Sequence, residues 1–494
     1  MKNVDVLIIG AGLLGCFTAR NLARYEMDIL VLEKETDVSR GISKANTGIL
    51  YTGYDNRPGT LKSRLCVKAS ESFDALAREL GVPIKRTGSL IVSYGPKADR
   101  VIQRKYNNGI RSGVKGLRLL DGSEARELEP GLADGVTSAM YASGTGTINP
   151  WELCIAAYEN ARDNGAEFSF NTKVQSIRKE NGRFIVETNH DCYSARAVVN
   201  AAGLSSDKIR ELVERPLVRL YPTFADYIVL DTSENEKLNH IIFHEGENGK
   251  GLTLVPTVDG NILVGPTNRA PGGEDAANTA FSADTAFTTD AASLSELREL
   301  CGAIFPSIDA GRQIRAFASI RPNIYRVYEE SGKVVRDEAR IHDFSILEED
   351  GLFSLIGIKT PGLTISNELG RLTADKAAAH IGRTSKRETF DPTRRAIVRA
   401  RDLTVEELAA RIEKDPGCGE ILCGCMNVTR AEIEEAIRRG AHDFEGIKHR
   451  TCVGMGRCQG SRCRKRILDL LFERDRMVDS GEAAAEKEYG TFCL

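Results

Sequence analysis

No stretch of the 494-residue sequence is apolar for long enough to cross a membrane, since a helical span takes about 20 consecutive apolar residues. Neither sign of charge dominates, with 67 Lys and Arg against 70 Asp and Glu. No basic field is therefore offered to nucleic acid. The apolar N-terminus is broken by Asp5 and by glycines, and no small-residue cleavage site follows, which argues against a signal peptide. These absences point to the cytoplasm, with any peripheral membrane association left to a partner. Length alone allows a large core and two or three structural units.

What the sequence does have is concentrated at its two ends. Val6 to Ile9 is a short β-branched apolar run that reads as a buried parallel strand. Gly10, Gly12 and Gly15 follow in a G-x-G-x-x-G pattern, then a helical pattern from Leu13 to Tyr25, then a second strand, Asp28 to Leu32. Glu33 closes that strand 18 residues after Gly15. Strand, glycine turn, helix, strand and acid is the order a dinucleotide site requires. The helix N-terminus faces phosphates with its partial positive charge, and the carboxylate accepts from ribose hydroxyls.

At the other end, Cys418, Cys423, Cys425, Cys452, Cys458 and Cys463 fall within 46 residues. Cys16, Cys66, Cys154, Cys192 and Cys301 are scattered and read as buried small hydrophobes. The close C-x-C pair and the cytoplasm-like context favour a metal over disulfides. The pairs Cys423/Cys425 and Cys458/Cys463 flank a helix expected from Thr429 to Arg439, which opens on a capping box of Thr429 and Glu432. Four thiolates in this pattern suit Zn²⁺ or an Fe–S cluster.

Between the ends, helices are expected over 61–81, 97–115, 151–164 and 288–303. Strands are expected over 86–93, 168–174 paired with 183–188, and 197–203. Residues 217–265 alternate with period 2 and read as an antiparallel sheet, with a hairpin at Asp259-Gly260. Residues 270–285 read as a mobile loop. A polar stretch, 383–419, reads as a linker with a short helix at Val405 to Glu413.

The loop S-K-A-N-T-G-I-L, followed by G-Y-D-x-x-P-G-T-L-K, resembles flavoproteins of the D-amino-acid-oxidase superfamily. The nearest branch holds glycerol-3-phosphate dehydrogenases and L-2-hydroxyglutarate oxidases. The resemblance extends over about residues 4–380 through the strand ending Asn200 to Gly203, the stretch 314–323, and the turn Gly357 to Thr364. It implies FAD as cofactor. It places Gly10, Gly12, Leu13, Gly15, Glu33, Lys34, Ser43, Lys44, Asn46, Thr47, Gly48, Val174, Ala202, Gly203, Gly357, Gly362, Leu363 and Thr364 along it. Backbone N–H groups of the last turn would stabilise negative charge on the reduced ring.

The implied fold is α/β plus α+β: a Rossmann-type FAD-binding domain with an antiparallel-sheet substrate domain and a small helical Cys-rich module. The first would comprise 1–85, 145–215 and 330–382, and the second 86–144 and 216–329. A linker at 383–419, the module at 420–475 and a tail at 476–494 complete it.

The module, with G-M-G-x-C-Q-G, resembles the bacterioferritin-associated ferredoxin domain. That implies a [2Fe–2S] cluster on Cys423, Cys425, Cys458 and Cys463, with Cys452 a rival and Cys418 a weaker one.

Arg321 is the leading anchor for an anionic substrate, since a guanidinium matches a carboxylate or phosphate bidentately. Lys250 and Lys359 are weaker candidates. Where much of the branch has a His over the flavin, this chain has Tyr51, a poor base unless its pKa is depressed. None of the seven His residues falls in a motif of the family.

The resemblance implies a dehydrogenase passing electrons from FAD through the cluster to a second flavoprotein or other acceptor subunit. sn-Glycerol 3-phosphate is the first substrate, L-2-hydroxyglutarate or a related 2-hydroxy acid the second, and an amino or imino acid, opines included, the third. A non-catalytic electron-transfer subunit is the alternative of a different class.

Overall fold

A computed structural model describes residues 1–246, 249–269, 288–330, 333–344 and 346–479. The chain forms two compact units, Met1–Arg394 and Arg395–Leu494. The expected loop at 270–285 and the tail from 480 onward lie outside the described residues, as does the Lys250 side chain.

The first unit is organised on a mixed sheet. Strand Lys2–Ile9 pairs in parallel with Ile29–Leu32 on one side and Cys192–Asn200 on the other. Strand Leu352–Leu355 joins in parallel beside Asn200. Val6 to Ile8 are fully buried, which explains their continuous apolar character. Helix Leu13–Leu22 packs between helices Pro150–Asp163 and Gly362–His380, so one face of the sheet is covered by three helices drawn from distant parts of the chain.

A second sheet of eight strands includes Thr223–Leu230, Gln313–Arg321, Ile262–Gly265, Gly249–Pro256 and Ile241–Gly246. These pairings are antiparallel, as the period-2 alternation requires, and the hairpin closes around Gly260 at φ +82°. One pairing departs from the pattern: Ile241–Gly246 runs parallel to Ser89–Ser93.

The segment 168–174 is not one strand. Glu167–Ser169 pairs with Ile29–Leu32, and the chain turns before Val174–Glu180 pairs with Arg183–Thr188. Asn171, at φ +54°, makes that break, which an apolar pattern does not reveal.

Residues 383–394, part of the stretch read as linker, run along the first unit. Asn160 Nδ2 donates to the carbonyls of Asp391 and Thr393 at 3.0 and 2.8 Å. Arg394 N donates to the Glu79 carbonyl at 2.8 Å, and its side chain pairs with Glu159 at 2.5 Å. One of the charges that made this stretch read as polar, on Arg394, is buried against Glu159 of helix Pro150–Asp163.

The second unit contains the expected helix, Arg430–Arg438, behind a capping box on Thr429 and Glu432. Two further helices, Phe444–Thr451 and Arg464–Asp479, escaped the sequence reading. Ile433, Ile437, Ile447, Val453 and Ile467 form its core.

Candidate functional site

The glycine turn is built as a close approach of backbones. Gly10 has φ +101°, and a Cβ there would lie 2.6 Å from the Ala201 carbonyl oxygen. A Cβ on Gly15 would lie 1.9 Å from the Gly10 oxygen. Ala201 N donates to the Ile9 carbonyl at 2.9 Å, so the Asn200 to Gly203 strand end is fixed against the same turn. Ala11 N donates to Glu33 Oε2 at 2.7 Å, and Glu35 N to Glu33 Oε1 at 3.0 Å. Burial pushes the Glu33 carboxyl up, and these two N–H groups oppose the push. Leu13 N donates to Ser43 Oγ at 3.1 Å, and Gly48 N to Asn46 Oδ1 at 2.9 Å. The loop bearing Ser43, Lys44, Asn46 and Thr47 is thereby brought to the helix N-terminus, which has no side-chain cap of its own.

Not every expected contact lies in this cradle. Lys34 pairs with Glu35 at the surface, at 3.3 Å. Val174 packs with Leu7, Ile9, Leu30 and Leu32 on the far side of the sheet from helix Leu13–Leu22. Ser39 Oγ, missed in the sequence, is buried without a hydrogen-bond partner, while Ser39 N donates to the Ala11 carbonyl. The uncapped helix start, the carboxylate on Glu33 and the orphaned hydroxyl fit a bound dinucleotide.

The closing turn meets the loop from the other end. Thr364 Oγ1 accepts from Tyr51 N at 3.0 Å, and helix Gly362–His380 begins there, also without a side-chain cap. Gly357 is at φ +70°, where a Cβ would strike Ile324 at 2.7 Å. Leu363 packs against the core beneath the first, mixed sheet.

Beyond that turn the structure gathers cations. Lys359 Nζ donates to Asn323 Oδ1 at 3.0 Å, and Arg321 to Asn268 Oδ1 at 3.3 Å. Lys359 is pushed down to about 7, first by burial and then by Arg340, Lys62 and Arg321. The Arg321 guanidinium donates to the Tyr227 hydroxyl, and Tyr227 stacks on Phe317 with ring centroids 5.0 Å apart. Burial pushes the Tyr51 phenol up, with Asp55 adding to the push and Arg321 opposing it. Tyr51 therefore keeps its proton near neutrality. Lys62, Arg340, Tyr227 and Asn323 were not singled out in the sequence, although Lys62 ends the G-Y-D-x-x-P-G-T-L-K motif and Asn323 ends the stretch 314–323, because nothing local shows that these separate elements meet.

In the second unit the thiols form two pairs. Cys425 Sγ lies 3.3 Å from Cys458 Sγ, and the Cys463 thiol faces Cys423. Backbone N–H groups of Gly460 and Arg462 point at Cys458 and, with the Cys425 thiol, hold its pKa down. Two sulfur pairs suit a binuclear cluster, in which each iron takes two thiolates. Cys452 is buried at φ +62°, at the end of helix Phe444–Thr451.

A dinucleotide cradle on a parallel sheet, a cation-lined sheet beside it and a paired-thiol module define a flavin oxidoreductase with an iron–sulfur domain. The family of FAD dependent oxidoreductases (DAO) matches residues 5–376, and the BFD-like [2Fe-2S] binding domain matches residues 421–473. The chain belongs to the DAO family of FAD-dependent oxidoreductases and carries a BFD-like [2Fe–2S] domain.

A glycerol 3-phosphate dehydrogenase of Caloramator mitchellensis is 34% identical over 493 residues, covering 99% of this chain and 98% of that protein. Subunit A1 of an anaerobic glycerol-3-phosphate dehydrogenase of Haloferax volcanii is 25% identical, covering 95% and 83%. The fold matches that of the dithionite-reduced, FAD-bound L-alpha-glycerophosphate oxidase of Mycoplasma pneumoniae at TM-score 0.69, with 23% identity, over 80% of this chain and 99% of that one.

Proposed function

We propose that the chain oxidises sn-glycerol 3-phosphate to dihydroxyacetone phosphate and passes the electrons through its cluster to a partner subunit. The observation that carries this reading is the gathering of Arg321, Lys359, Arg340 and Lys62 at one place. The positive potential around Lys359 favours an anion, and a compact dianion such as a phosphomonoester gains most from it. The similarity to a glycerol 3-phosphate dehydrogenase along nearly the whole chain supports the same substrate.

Gly10, Gly12, Leu13, Gly15, Glu33, Ser43, Lys44, Asn46, Thr47, Gly48, Ala202, Gly203, Gly357, Gly362, Leu363 and Thr364 would hold FAD. When bound, FAD supplies the hydride acceptor for the carbinol carbon. Arg321 and Lys359 would hold the phosphate, with Lys62 and Arg340 raising the local positive potential. Tyr51 Oη, staying protonated, would hydrogen-bond the substrate, whose hydroxyl proton would pass to solvent water as the hydride leaves the carbinol carbon. Cys423, Cys425, Cys458 and Cys463 would hold the cluster, which supplies one-electron transfer. The similarity to a subunit of an anaerobic dehydrogenase supports a multi-subunit setting for the acceptor.

Arg321→Ala is expected to raise KM for glycerol 3-phosphate at least tenfold, a loss of about 1.4 kcal/mol or more. Unaltered steady-state kinetics would make Arg321 a structural residue.

The pH profile follows from Lys359. Its charge, needed for the anion, is present below about pH 7 and lost as pH rises through that value. Since kcat/KM reports groups of the free enzyme, it should fall across about pH 7. In Lys359→Arg the charge persists at all working pH values and the fall should vanish. Persistence of the fall in that variant would assign it to another group.

Anaerobic mixing of the FAD-loaded chain with glycerol 3-phosphate tests the function itself. Bleaching of the flavin by this compound, and not by L-2-hydroxyglutarate or amino acids, is the expected outcome. Bleaching by one of the latter would replace the substrate.

A further inference from the structure

The second unit has a polarised surface. Arg457, Arg462, Arg464, Lys465 and Arg466 are all exposed and occupy ten consecutive positions that contain no acidic residue. The whole chain is close to neutral, at −3, so this concentration is local. It brackets two of the four paired thiols: Arg457 precedes Cys458, and Arg462 and Arg464 flank Cys463. Consecutive Cα atoms are about 3.8 Å apart, so these cations stand at the rim of the cluster site by covalent geometry alone.

Lys465 pairs with Asp469 and Arg466 reaches Glu420 at 3.8 Å, while Arg464 lies over the Phe444 ring. Asp469 and Glu420 offset two of these five charges at a distance, and the ten positions themselves contribute no negative charge. The thiols are not equally covered. Cys423 and Cys463 are buried, Cys458 is half-buried and Cys425 is exposed. One side of the site therefore opens to solvent at Cys425 and Cys458, and the exposed Arg457 adjoins that edge in the chain.

We propose that this basic rim docks an acidic one-electron carrier protein against the exposed Cys425–Cys458 edge. The inference rests on the reading of Cys423, Cys425, Cys458 and Cys463 as cluster ligands. One electron passes from the reduced cluster to the carrier, which is reduced as the cluster is oxidised. Two such transfers complete each two-electron oxidation. Opposite charge accelerates the encounter and orients the carrier, and the effect is screened by salt.

The test bypasses the substrate. The holoenzyme is reduced with dithionite, freed of excess reductant, and mixed in stopped flow with an oxidised acidic rubredoxin or with basic cytochrome c. The rubredoxin rate should fall at least about tenfold from about 20 to about 300 mM NaCl, and by a similar factor in the Lys465→Glu/Arg466→Glu variant at low salt. Cytochrome c should react no more slowly with that variant than with wild type. Cluster absorbance and the electron-paramagnetic-resonance signal should be the same in both proteins. A rubredoxin rate indifferent to both salt and charge reversal, or a wild-type preference for cytochrome c, would overturn the proposal. The wild-type salt series decides even if the variant misfolds. A holoenzyme without a cluster signal would sink the ligand reading and the docking proposal with it, whereas absence of flavin bleaching by glycerol 3-phosphate would leave this measurement unaffected.

Discussion

Cys458→Ser removes the cluster's visible absorption and lowers iron content while FAD stays bound. This is the largest spectroscopic change expected from any single substitution in the chain. Cys458 Sγ sits 3.3 Å from Cys425 Sγ, and the N–H groups of Gly460 and Arg462 are already directed at it. A serine hydroxyl is hard, poorly ionised and shorter in reach, so it replaces a thiolate badly. FAD is retained because its cradle is built in Met1–Arg394, a separate compact unit. Iron analysis and the absorption spectrum of the purified variant decide the matter. Unchanged iron would remove Cys458 from the ligand set and turn attention to Cys452, which is buried at the end of its helix.

The largest effect on stability is expected at Arg394→Ala. The pair with Glu159 is nearly inaccessible, with side chains 5% and 1% exposed. Arg394 Nη1 also donates to the Leu80 carbonyl at 3.2 Å. Breaking such a pair by removing one partner leaves a buried charge and typically costs about 3–5 kcal/mol. The loss should fall on the first unit, because the 391–394 segment ties helices Leu61–Leu80 and Pro150–Asp163 together. Replacing both partners by Met and Leu should recover much of the loss, as apolar side chains of similar volume leave no orphaned charge. Denaturant unfolding followed by flavin release measures both variants. A change below about 1 kcal/mol for Arg394→Ala would mean the segment is a loose tether, as its composition first implied.

The dinucleotide half of the site was legible because its logic is local. Gly10, Gly12, Gly15 and Glu33 lie within 24 residues and act through backbone geometry, which residue type and spacing encode directly. The C-x-C and C-x₄-C pairs marked the four thiols, but the fold pairs them crosswise, Cys425 with Cys458 and Cys423 with Cys463. The anion cluster was only half legible. Arg321, Lys359 and Lys62 stood in family motifs, yet Lys62 opens a helix with no local sign that it meets the other two, and Arg340 ends a strand of a small three-stranded sheet. By sequence Arg340 does not differ from the many arginines on the surface. The mis-set strand at 168–174 has the same origin. A single left-handed residue, Asn171, redirects the chain, and its cost is offset by pairing partners remote in sequence.

By itself the sequence determined the cofactor chemistry of this protein: a flavin cradle first, a four-thiolate module last, and a Tyr where a His is usual. Those features are written in short patterns whose physics acts across a turn or a helix. Only the tertiary structure decided that Tyr51 cannot readily ionise, that Lys359 is brought near neutrality, and that part of the presumed linker is a strap. Burial and the convergence of distant charges set all three. Both depend on which elements pack together, and long-range packing leaves no local signature in the order of residues.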